Sequence, residues 1–205
     1  MKKQNNYQIQ AEQAKKLFLT YDQRKLIDRC RLRFDANYFY VTMLGDLYRI
    51  DRHTGDMERK RADIWVDGNA FGEVMTLLDW LCDSKPDRCI LGHWVNLVNH
   101  NHYFHRDLQE SEDPDAILFD RHPEAFRQAC KALGGQPLPG ADIGYAIELV
   151  DGLCIFVQLW HGDEEFAPRL RCLWDENATQ YIRYETTWYA QGLLMQRLRE
   201  HMPDR

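Results

Sequence analysis

Apolar positions along the chain change their spacing several times, and each change marks an element. Tyr7, Ala11, Ala14, Phe18 and Tyr21 recur at i, i+4, i+7, i+11 and i+14, which is one face of a helix. Asp22 stands where it can cap a short second helix carrying Leu26 and Ile27. The period then shortens. Tyr38–Met43 is aromatic and β-branched, Gly45-Asp46 supplies a turn, and residues 47–50 read as a second strand. After the turn His53-Thr54-Gly55-Asp56, Met57–Arg61 reads as a third, exposed strand, so residues 36–66 form an antiparallel meander. Phe71, Val74, Met75, Leu78, Leu81 and Cys82 give the strongest helical stripe, with Asp67 or Asn69 as N-cap and Pro86 beyond its end. A further helix opens at Pro123, carries Phe126, Ala129, Cys130 and Leu133 on one face, and closes at Gly134-Gly135. Residues 143–149 predict a strand, Asp151-Gly152 a hairpin turn, and Leu153–Trp160 its partner. That partner is apolar on both faces except at Gln158, the pattern of a central strand covered on both sides. Tyr184, Trp188, Met195, Leu198 and Met202 place a helix near the C-terminus, and residues 106–116 read as a polar acidic loop. The fold class that follows is α+β. It is a single domain over 1–205, with 1–13 as a loosely attached helix start and one mixed or mainly antiparallel sheet packed against several helices.

Composition narrows the function classes. The chain has 205 residues, 44% of them hydrophobic and 28% charged, the balance of a globular protein. A formal net charge of −6 argues against an electrostatic nucleic-acid binder. No apolar run approaches the about 18 residues that span a bilayer. Lys2 and Lys3 have no apolar segment behind them, so no signal peptide is expected and the location expected is cytoplasmic. None of the 6 cysteines forms a C-x-x-C pair. Cys82, Cys130 and Cys154 lie in apolar stretches and are expected to be buried, reduced thiols.

The densest polar cluster follows the central strand, as Trp160-His161-Gly162-Asp163-Glu164-Glu165-Phe166. Hard divalent cations take several carboxylate oxygens, and His161 adds a transition-metal ligand, so His161, Asp163 and Glu165 are candidate metal ligands. Gly162 would let the backbone turn so that the acids converge. The same residues also fit a solvated turn in which one acid caps the backbone. A weaker alternative is the histidine-rich loop, where His93, His100, His102 and His105 are half of the 8 histidines. Glu185 opens the last helix, where a dipole or capping contact competes with a role as base. No serine-hydrolase elbow, P-loop or dinucleotide fingerprint occurs.

Several segments resemble a known family. Residues 159–166, then Leu173-Trp174-Asp175-Glu176-Asn177 and Tyr181-Ile182-Arg183-Tyr184-Glu185, are similar to the W-x-x-D-E-E-F, hydrophobic-(F/W)-D and Y-x-x-x-E segments of a bacterial and archaeal family called domain of unknown function 3786. Leu91-Gly92-His93-Trp94-Val95 and residues 126–135 resemble its earlier segments. The family occurs often in anaerobes, and some members are joined to iron–sulfur cluster domains, so the resemblance implies metal or redox biology. It also ranks Trp160, Asp163, Glu164, Glu165 and Phe166 above the histidine loop. The expected function is a binding module for a small ligand, a metal or a partner protein. The alternative is an enzyme using the Asp163-Glu164-Glu165 turn as metal ligands or as general acid and base.

Overall fold

The computed structural model describes residues 6–97 and 113–202. The fold is α+β, and its strands form two antiparallel five-stranded sheets where the sequence predicted one. The chain folds into two compact units. The first holds the residues up to Cys89 together with Thr179–Leu193, and the second holds Ile90–Ala178 with the residues from Leu194 onward.

In the first unit, helices α1 (Asn6–Phe18) and α2 (Gln23–Cys30) precede a meander of β1 (Arg33–Phe34), β2 (Tyr38–Met43), β3 (Asp46–Asp51), β4 (Met57–Arg61) and β5 (Ile64–Asp67). Asp22 caps α2 as its position predicted, accepting from the Arg24 amide at 3.0 Å. β2 alternates cleanly, burying Phe39, Val41 and Met43. Phe39 meets Phe18 of α1 edge-on, with ring centroids 6.2 Å apart. The β4 strand is not exposed. β5 pairs along its far side, and Met57 and Arg59 are buried. Arg59 lies beside Asp46, which accepts from it at 3.1 Å.

Helix α3 (Phe71–Asp83) starts at Ala70 rather than at Asp67 or Asn69. Glu73 reaches back to the Ala70 amide at 3.1 Å and accepts a 2.8 Å bond from the buried Tyr48 hydroxyl. Asn69 is engaged elsewhere. Its side-chain oxygen accepts from the Met57 amide, and its NH₂ group donates to the Met57 carbonyl, extending the edge of β4.

In the second unit the sheet order is β6-β10-β9-β8-β7. β6 is Trp94–Val95, β7 Gln136–Pro137, β8 Ile143–Val150, β9 Leu153–Trp160 and β10 Arg169–Asp175. β9 is the middle strand, as its two apolar faces predicted, and Gln158 within it donates to the Gly140 carbonyl. Asp151 and Gly152, both at positive φ, make the predicted hairpin turn. Helices α4 (Pro114–Arg121) and α5 (Pro123–Ala132) pack through Phe119 and Phe126, stacked at 4.5 Å.

Part of the predicted acidic loop is therefore helix. Asp113 caps α4, and Pro114 occupies its first turn. Helix α6 (Tyr184–His201) gives its first half to the first unit and its second half to the second. No helix among the described residues is long and apolar enough to cross a membrane.

Candidate functional site

The turn after β9 lines an open cleft of about 650 Å³ in the second unit. One wall is residues 162–168, and the other is Ile117, Asp120 and Arg121 from the last turns of α4. Helix α4 is held in place at its start, where Arg199 of α6 donates to both carboxylate oxygens of Asp115 at 2.6 Å.

The turn is built by Asp163. Its Oδ1 accepts from the amides of Glu165 and Phe166, both at 2.8 Å, and its own amide donates to the Phe166 carbonyl at 2.9 Å. Those two bonds to the ionised form hold the Asp163 carboxyl below its ordinary pKa. Gly162 serves close approach: a Cβ there would stand 2.8 Å from Pro168 Cδ. The glycine thus lets the loop fold back on itself rather than bringing acids together. With Oδ1 of Asp163 engaged by the backbone, Glu164 and Glu165 are exposed, and among the described residues their carboxylates make no hydrogen bond or ion pair. Phe166 is 70% exposed at the cleft's edge.

His161 stands beside the cleft. Its amide donates to Asp142 Oδ2 at 2.8 Å, and its Nδ1 lies 2.5 Å from Asp120 Oδ1. A carboxylate on Nδ1 fixes the ring's orientation and, in the neutral ring, leaves Nε2 as the acceptor. Trp160 lies under the Arg171 guanidinium, whose central carbon is 5.6 Å from the indole centre.

The remaining candidates fall elsewhere. His93 is exposed, with Nδ1 3.5 Å from Glu176. His100, His102 and His105 lie outside the described residues. Glu185 belongs to the first unit and is itself exposed in the first turn of α6. Among the described residues no group of three or more His, Cys, Asp and Glu side chains is placed to hold a metal ion.

Sequence reasoning missed Asp120 and Arg121. Their signal was the helix start at Asp113-Pro114, which carries Asp120 to the last turn of α4, where it meets His161. No chain-local pattern linked those two residues, which are 41 positions apart.

The profile of the family described as Domain of unknown function (DUF3786) matches residues 22–197. The chain belongs to that family. The DUF3786 match takes in both walls of the cleft and both units' sheets. No curated protein and no solved structure matches the chain.

Proposed function

We propose that this DUF3786 protein is a binding module for a small, positively charged organic ligand, taken up in the cleft of the second unit. The observation that carries the reading is the pair of exposed carboxylates, Glu164 and Glu165, without a partner among the described residues, facing a cleft that also holds Asp120 and Asp163 and, among the described residues, one cation, Arg121. That excess of negative charge favours a cation, and Ile117 and the exposed Phe166 offer apolar surface to its carbon skeleton. A resident metal fits less well. Among the described residues no three His, Cys, Asp or Glu side chains are placed to share one ion. The His161–Asp120 contact favours a second reading, in which the ring's Nε2 takes a proton from a bound substrate.

The test is a thermal melt and titration calorimetry with phenethylamine, putrescine, Mg²⁺ and Zn²⁺. An organic cation should raise the melting temperature by mass action, and Glu164→Gln with Glu165→Gln should remove the shift. A response to Zn²⁺ alone, or to no compound, overturns the reading.

A further inference from the structure

A second cleft, of about 250 Å³, lies within the first unit between α1 and α3. The two helices run in parallel. The Tyr7 ring meets the Phe71 ring at 4.9 Å at their starts, and the Tyr21 hydroxyl donates to Asp83 at 3.2 Å at their ends. Positions 10, 13, 14 and 17 of α1 face positions 75, 78, 79 and 82 of α3. Both sets have the i, i+3, i+4, i+7 spacing of a single helix stripe, so the cleft is a groove about 10 Å long. It exists because Ala14, the smallest side chain on its stripe, stands opposite the α3 wall. Leu17, Met75 and Leu78 make that groove apolar. Cys82 adds an apolar surface rather than a nucleophile, since burial pushes its thiol up to about 12.

One end of the groove is polar. Asp79, with a side chain only 5% exposed, accepts from the Arg183 amide at 2.7 Å and lies 3.1 Å from Arg183 Nε. Arg183 also pairs with Asp83. Two carboxylates against one guanidinium leave an excess negative charge at the end of an apolar slot.

We propose that this groove binds a short primary alkylamine, its chain along Leu17, Met75 and Leu78 and its ammonium at Asp79 and Asp83. The site is separate from the acidic cleft of the second unit. An aliphatic chain suits a slot between two helix stripes, and charge complementarity selects an ammonium over an alcohol or a carboxylate.

The experiment titrates hexylamine, hexanol and hexanoate into the full-length protein, followed by calorimetry and by amide chemical shifts. Hexylamine should saturate, with the other two at least about tenfold weaker, and the shifts should centre on Ala14, Met75 and Cys82. Asp83→Asn should weaken hexylamine by about tenfold and leave hexanol unchanged. Ala14→Trp, which fills the groove, should abolish binding. Should Ala14→Trp fail to fold, Asp83→Asn and the shift map decide alone. The proposal is overturned if no probe saturates, if the three head groups bind alike, or if the shifts centre on residues 162–168.

Discussion

Asp163 carries the hydrogen bonds that close the acidic turn. It gives Oδ1 to two amides of its own loop. Asp163→Ala should therefore lower the melting temperature at pH 7 and speed amide exchange at Glu165 and Phe166. The acid dependence has a definite sign. The folded pKa lies below the ordinary value of 3.8, so the stabilisation is fully present above that value and lost as pH falls through the folded one. The alanine variant should lose that part of the wild type's acid sensitivity, read from melts between pH 7 and pH 2. Identical melts for both proteins would show that the turn closes without the carboxylate. Thiol positions were legible in part. Cys82 and Cys130 are buried, with burial pushing each up to about 12. Cys154, expected to be buried, is only half-buried, with its sulfur 3.5 Å from the Gly152 carbonyl at the hairpin turn.

At the scale of elements, the chain announced those whose apolar period runs for two turns or five residues. β2, β9, α3 and the last helix fell within a residue or two of their predicted ends, because one buried face dictates the period. β5, β6 and β7 were not resolved as separate strands, since two to four residues carry too little pattern. Helix α4 was hidden because its first turn lies in the polar acidic run before it, and it gives the site Ile117, Asp120 and Arg121, with Asp120 against His161. The division into two sheets was not legible either, because period 2 reports that a strand has a buried face but not which sheet supplies the neighbour. Within the second sheet, Ile155 is wholly buried on β9 and pairs in register with Ile147 and Trp174. Ile155→Ala should cost roughly 2–5 kcal/mol in urea denaturation, through lost burial and the cavity left behind. A loss below about half a kcal/mol would place Ile155 outside the core.

At the scale of the whole molecule, neither unit is a continuous stretch of sequence. Helix α6 completes both, supplying Tyr189 against Phe71 in the first and Arg199 against Asp115 in the second. A fragment ending at Ala178 lacks a piece of each unit and should melt without a cooperative transition in calorimetry. A sharp melt from that fragment would mean that α6 is dispensable to both. The same connectivity sets a timetable on the ribosome. The meander of β1–β5 pairs only with sequence neighbours and can assemble as soon as it emerges. Phe71 and Asp79 of α3 must then wait for Tyr189 and Arg183, which follow after the intervening second unit. At translation speeds of roughly 5–20 residues per second, separations of about 104 and 118 residues amount to roughly 5–24 s. For that interval the nascent chain carries an unclosed apolar face, a natural point of engagement for a ribosome-associated chaperone.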